Sequence, residues 1–222
     1  FASVCGRVCA APCEDACRRG DIDSPVSIRA LKRFVTEKYG AESLHPDTQE
    51  KIIERKKADI FIPMQEVRTN QYTWHLPTMY KTYRPSSKAD KIAVIGSGPT
   101  GLACAHDLAL MGYPVTVFEA SPKAGGMMRH GIPEYRLPRA VIDKEVEKIL
   151  DLGVELRLNT PLTKDFGIQK IKKEGFRAIF IAVGVQQGRD LSIEGADQDG
   201  VIKAIDYLLN INNGYKVNLG KK

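Results

Sequence analysis

Apolar positions along this chain follow two rhythms, and their alternation defines its second half. A continuous apolar run, Ile92-Ala93-Val94-Ile95, predicts a strand buried on both faces. A helical pattern follows to Met111 and stops at Gly112, a residue suited to closing a helix. The β-branched run Val115-Thr116-Val117 predicts a second strand. Val141, Ile142, Val146, Ile149 and Leu150 then recur at helical spacing and predict an amphipathic helix over 138–152. Beyond it the pattern predicts a short strand at 154–158, a helix at 166–174, a strongly apolar strand at 176–184 and a last helix at 200–212. A further strand can start at 215–219. Strands alternating with helices make the fold class α/β, with a parallel sheet.

The first ninety residues read differently. Residues 21–40 predict a helix, with Ser24 as its cap, Pro25 in its first turn and Gly40 at its end. Ile28, Leu31, Phe34 and Val35 mark its apolar stripe, and Arg29, Lys32, Arg33 and Lys38 surround it. Residues 46–58 suggest another short, charged helix. From 59 to 90 the pattern breaks up around Pro63, Pro77 and Pro85. Tyr72, Trp74, Tyr80 and Tyr83 make this stretch too aromatic for a flexible linker, so an ordered connector that crosses a surface is expected. The expected organisation is a helical N-terminal domain over 1–58, a connector over 59–90 and a Rossmann-like domain over 91–222.

Chemistry enters at the first strand–helix junction. Gly96-x-Gly98-x-x-Gly101 sits there, and Glu119 closes the second strand about twenty residues on. Gly96 allows a tight turn, Gly98 lets a pyrophosphate approach the backbone, and Gly101 lets helix and strand pack closely. Pro99 and Thr100 open the helix, whose free N–H groups and dipole attract the pyrophosphate. Glu119, with Ala120 beside it, suits a ribose with a free 2′-hydroxyl and repels a 2′-phosphate. That favours FAD or NAD over NADP at this position.

A second glycine-rich loop, AGGMMRHGIPEYRLPR, begins at Ala124. Gly125 and Gly126 permit close backbone approach, and Gly131-Ile132-Pro133 form a stiff turn. One reading is a plain surface loop. The other is a loop over a flat ring, with Met127 and Met128 as a soft packing surface and Arg129 or Arg136 on phosphate or carbonyl oxygens. His130 is read as a packing residue before a proton donor. Ala182-Val183-Gly184 ends the apolar strand where the ligand crevice of an open parallel sheet lies.

Five cysteines are present, and Cys5, Cys9, Cys13 and Cys17 are each four apart. Cys104 falls within the predicted helix and reads as a small core residue. No signal peptide is visible, which makes disulfides a poor explanation of the cluster. The spacing favours iron–sulfur ligation over zinc, with structural or redox thiols also open. His75 has no second ligand spaced with it. Formal net charge is +6, but Lys and Arg are spread along the chain rather than clustered with aromatics. A solvated surface is therefore preferred to nucleic-acid binding, with some basic residues available to an acidic partner or a cofactor phosphate. No apolar run is long enough to span a bilayer. The chain opens at Phe1, and a piece of a longer protein is expected.

Two stretches carry a resemblance. CGRVCAAPCEDACRRGDIDSPVSIRALKRF, from Cys5 to Phe34, resembles the N-terminal iron–sulfur helical domain of the glutamate synthase small subunit family. The same pattern occurs in dihydropyrimidine dehydrogenase and in NADPH:ferredoxin transhydrogenase subunits. KIAVIGSGPTGLACAHDLALMGYPVTVFEA, then GGMMRHGIPEYRLPR, then AIFIAVG, resembles the FAD domain of these proteins, in the same order. The resemblance implies FAD on Gly96, Gly98, Gly101 and Glu119, with 126–133 near the isoalloxazine. It implies 4Fe-4S ligation by Cys5, Cys9, Cys13 and Cys17, shared between two clusters, with further ligands from an upstream cysteine motif. Some members place a Glu or Gln ligand where this chain has Lys32, whose ammonium cannot ligate. The resemblance further implies an NAD(P)H domain after VNLGKK and a cytoplasmic electron-transfer subunit working with partner subunits.

Overall fold

The computed structural model describes residues 1–43, the backbone of 66–69 and 72–75, and residues 90–217. Its centre is a four-stranded parallel sheet of β3 (Lys91–Ile95), β4 (Val115–Phe118), β5 (Glu155–Arg157) and β6 (Phe176–Ile181), in the order β5-β4-β3-β6. Helix α4 (Pro99–Leu110) joins β3 to β4, α6 (Arg139–Leu150) precedes β5, and α7 (Ile168–Lys173) joins β5 to β6. The short α5 (Met127–His130) lies in the second glycine loop, and α8 (Ala204–Asn212) follows β6.

Both sheet faces are covered, which explains the unbroken apolar run of β3. Val94 and Val117 point into one core with Leu102, Ala105, Ala109, Val141, Ile142, Val146 and Ile149 from α4 and α6. Ala93, Ile95 and Phe118 point the other way, onto Ile171 of α7 and Phe176. The Phe118 ring lies 5.5 Å from Phe166 and 5.6 Å from Phe176, in tilted and edge-on geometry. The chain runs from β3 outward to β4 and β5, then returns to the far side of β3 as β6. The order therefore reverses between β3 and β6, and a ligand crevice opens at such a point.

The N-terminal segment forms α1 (Ala2–Val8), α2 (Pro12–Asp15), a 3-10 turn (Arg18–Asp21) and α3 (Ile28–Tyr39). Helix α1 packs against α3 at Gly6, where a Cβ would come within 2.9 Å of the Arg33 Cα. Val4 of α1 also enters the core shared by α4 and α6. Thus α1 bridges the cysteine segment and the sheet domain.

Three expectations change. Helix α3 begins at Ile28, leaving Ser24 and Pro25 outside it. Its early N–H groups are met from elsewhere, since Arg29 N–H donates to Glu14 Oε1 at 2.7 Å. The apolar stripe is not its buried face: Leu31, Phe34 and Val35 are all more than half exposed. The helix turns Thr36 and the Arg33 backbone inward, where Gly6 leaves room. Within the connector, β1 (Glu66–Thr69) and β2 (Tyr72–His75) pair antiparallel, Val67 opposite Trp74. The helix expected at 46–58 lies outside the described residues, as does the end of the strand expected at 215–219; residues 215–217 carry no regular structure.

Candidate cofactor sites

Three segments meet at the C-terminal ends of β3 and β6. Gly96 has φ +102°, and a Cβ there would lie 2.4 Å from the Ala182 carbonyl oxygen. Only glycine allows both the left-handed backbone and this contact. Ala182 N–H donates to the Ile95 carbonyl at 2.8 Å, which holds the 182–184 segment beside the turn. A Cβ on Gly101 would come within 1.9 Å of the Gly96 carbonyl, so helix α4 starts directly on the turn. At Gly98 a Cβ would meet nothing within 4 Å, so the backbone there faces open space. Gly126 closes the group, since a Cβ there would lie 2.8 Å from the Gly98 Cα, and Gly125 N–H donates to the Ser97 carbonyl at 3.0 Å.

Glu119 is fixed at the end of β4 and is 8% exposed. Ser97 gives its Oε2 two hydrogen bonds, from the backbone N–H at 2.8 Å and the hydroxyl at 2.5 Å, and Ser121 N–H donates to Oε1 at 2.8 Å. Burial alone pushes its pKa up. Hydrogen bonds from Ser97 and Ser121 outweigh that, and the net shift is downward. A carboxylate held ionised can accept from ribose hydroxyls and repels a 2′-phosphate.

The other expected residues divide. Pro99 and Thr100 are exposed at the start of α4, and Ala120 follows Glu119 at the mouth. Met127, Gly131 and Ile132 are half-buried around α5. Val183 is exposed and Gly184 has φ +70°. Arg136 is exposed. Met128 points into the core with Leu102 and Ile142, away from any open surface. Arg129 is 5% exposed and committed to the protein. Its Nε donates to the Ala124 carbonyl at 2.6 Å, and it pairs with Asp143. Arg129 thus holds the loop shut upon itself rather than reaching outward. Sequence reasoning missed Ser97 and Ser121, because a serine between or after motif residues carries no pattern of its own.

A cavity of about 340 Å³ lies behind this loop, lined by Ser121, Lys123, Arg139, Asn212 and Tyr215 among others. Arg139 crosses it to the Met128 and Ile132 carbonyls. Asn212 donates to the His130 carbonyl at 2.6 Å, and His130 Nδ1 lies 3.1 Å from Asn213 Oδ1, which docks α8 on α5. His130 is a packing residue here.

The cysteine segment surrounds sulfur with donors. Lys32 Nζ donates to Cys5 Sγ at 3.1 Å, and Ala11 N–H donates to Cys9 Sγ at 3.4 Å. Ala11 adopts φ +60° to do so, an uncommon backbone for alanine. The Ala11 N–H, Cys5 and nearby Lys32 and Arg29 hold the Cys9 thiol below its ordinary pKa. Backbone N–H groups at Val26, Arg19 and Gly20 do the same for Cys17. Cys104 goes the other way, raised first by burial and then by Asp107. Anionic sulfur is what iron or zinc ligation requires, so the donor chemistry fits. Among the described residues no three of His, Cys, Asp or Glu converge on one point, so these residues alone hold no complete ligand set.

The fold and these sites define a Rossmann-like dinucleotide-binding domain with a four-cysteine helical segment docked upon it. Two family profiles match in the same order. Residues 1–44 match dihydropyrimidine dehydrogenase domain II, 4Fe-4S cluster, and residues 94–151 match the NAD(P)-binding Rossmann-like domain. The chain is 36% identical over 214 residues to the NADP(+)-dependent formate dehydrogenase subunit beta of Moorella thermoacetica, covering 96% of this chain and 28% of that one. It is 34% identical over 225 residues to the NADPH-Fe(3+) oxidoreductase subunit beta of Geobacter sulfurreducens, covering 99% and 28%. The glutamate synthase (NADPH) small chain of Bacillus subtilis is 32% identical over 215 residues, covering 97% and 36%. The resemblance to the glutamate synthase small subunit group is therefore shown, and the chain spans about a third of the length of these relatives. Among solved structures, Mycobacterium tuberculosis FprA in complex with NADPH matches with TM-score 0.52 at 25% identity, covering 57% of this chain and 30% of that one. No helix among the described residues is long and apolar enough to cross a membrane.

Proposed function

We propose that this chain is the flavin- and cluster-binding part of an electron-transfer subunit in a cytoplasmic NAD(P)H-dependent oxidoreductase complex. The observation that carries the reading is the cradle at the β3–β6 reversal, where Gly96, Gly98, Gly101, Gly126 and Ala182 clear a path beside the clamped Glu119. FAD fits it, because Glu119 suits an unphosphorylated ribose and the α4 N-terminus suits a pyrophosphate. Bound there, FAD would exchange a hydride with NAD(P)H and single electrons with a 4Fe-4S cluster.

The chain's own residues then have separate tasks. Gly98, Pro99 and Thr100 present the helix start to the pyrophosphate, and Glu119 with Ala120 receives the adenosine ribose. Gly125, Gly126, Met127, Gly131, Ile132 and Arg136 lie toward the ring, across from Ala182, Val183 and Gly184. Met128 and Arg129 support the loop from behind. Cys5, Cys9, Cys13 and Cys17 would supply sulfur to clusters completed by ligands from other segments. The proposed domains are an all-helical iron–sulfur domain over 1–58, a connector over 59–90 and the FAD domain over 91–222. No residue is proposed as a general acid or base.

Absorbance spectra with iron, sulfide and flavin quantitation on the full-length protein test this reading. Bound flavin bleached by NADH or NADPH, together with iron and sulfide, supports it. A colourless protein, or one holding zinc and no iron, overturns it. A second reading, a glutamate synthase small subunit proper, is favoured by the Bacillus subtilis relative. Co-purification of a glutamine-hydrolysing large subunit separates the two.

A further inference from the structure

Several cations around the N-terminal helices pair with carboxylates among the described residues. Arg7 pairs with Glu42 at 2.6 Å and with Glu37 at 3.2 Å, Arg33 with Glu37 at 2.8 Å, and Arg19 with Asp23 at 2.5 Å. Lys32 instead places its ammonium 3.1 Å from the sulfur of Cys5, the one hydrogen bond recorded for it among the described residues. Its position is not free to wander. Lys32 neighbours Arg33, whose backbone is pressed against Gly6 where α1 and α3 cross, and Gly6 neighbours Cys5. The helix crossing therefore fixes donor and acceptor together. Cys9 and Cys13 lie near the same ammonium.

We propose that Lys32 is a positioning residue that raises the reduction potential of a cluster bound through Cys5. The proposal rests on the cysteines being cluster ligands, as argued above. A cluster held there would take one electron from the reduced flavin, with no bond made or broken, and the Cys5 sulfur would become more negative. A charged N–H donor on a ligand sulfur stabilises that added charge more than the oxidised state, so reduction becomes easier. Lys32 neither ligates iron nor moves a proton in this step.

The test uses the full-length protein, prepared anaerobically, with iron and sulfide counted first. Midpoint potentials are then measured by EPR-monitored titration in wild type, Lys32→Met, Lys32→Leu and Lys32→Arg. The expected result is a downward shift in Lys32→Met, with the reduced-to-oxidised ratio at the wild-type midpoint falling about tenfold, or ~59 mV for one electron. Lys32→Arg should stay near wild type and Lys32→Leu fall with Lys32→Met. Should Lys32→Met lose iron, an Arg midpoint above the Leu midpoint still supports the proposal. Loaded variants that all share the wild-type midpoint overturn it while leaving the cluster reading intact. Iron-free wild type overturns both.

Discussion

The backbone N–H of Ser3 donates to Glu145 Oε1 at 2.7 Å, joining the first helix to α6 across 142 positions. Both residues are buried. An early N–H of α1, which has no partner within its own helix, is thus capped by a carboxylate from the sheet domain. The contact fastens the cysteine segment to the flavin-side domain.

Glu145→Ala should therefore loosen α1, costing about 1–3 kcal/mol through the unpaired buried N–H. Hydrogen exchange of the α1 amides would rise while α4 amides stay protected. Ser3→Ala is the control. The Ser3 hydroxyl is buried with no hydrogen-bond partner among the described residues, so its removal should be neutral or slightly stabilising. Equal melting temperatures for Glu145→Ala and wild type would dismiss the cap.

Glu119 sets a pH dependence with a definite sign. Its pKa in the fold lies below the ordinary value of 4.5. It therefore contributes stability that is fully present above that value and is lost as pH falls through the folded pKa. Acid unfolding of Glu119→Gln should show a flatter stability profile below about pH 4.5 than wild type. Flavin affinity should fall about tenfold or more in the same variant, since hydrogen bonds to a charged acceptor are lost. Parallel profiles for the two proteins would rule this out.

Two glycines of one motif should behave oppositely. Gly101→Ala forces a Cβ into the Gly96 carbonyl and should cost about 1–3 kcal/mol or displace α4. Gly98→Ala meets nothing in the protein and should keep its thermal midpoint, yet lose flavin, because the methyl occupies the phosphate path. Circular dichroism melts and flavin occupancy together separate these effects. Matching losses of stability at both positions would contradict the geometry.

Arg129 should act on stability before binding. Arg129→Met leaves the Ala124 carbonyl without its donor and should destabilise by about 1–3 kcal/mol. An Arg129→Met protein of normal stability that binds flavin poorly would return this side chain to the cofactor.

Thiol reactivity should follow the shifts. After iron removal, Cys9 and Cys17, both held below the ordinary thiol pKa, should alkylate with iodoacetamide at neutral pH well before Cys104, which burial holds above it. Mass spectrometry of timed samples reads the order. Early labelling of Cys104 would refute it.

Much of the sheet domain was legible because its signals are local and periodic. Val94 and Ala93 face opposite cores, so β3 had to read as unbroken apolar sequence. Glu119 was legible from its distance to the glycines, but its clamp was not, since Ser97 and Ser121 become relevant only once the turn folds back. Arg129 looked like a free cation because Asp143, its partner, lies on another helix. The α3 stripe misled for a further reason. Periodicity reports which face is apolar, not whether anything among the described residues covers it.

The strand β6 has one described neighbour, β3, and leaves Phe180 and Ile181 bare alongside Val183 and Val185. Such a margin offers grease together with peptide groups that no described strand pairs, the combination that invites strands from other molecules to zip on. Anyone expressing this span by itself should expect turbid solutions and concentration-dependent sedimentation, whatever the health of the nucleotide cradle a few residues away.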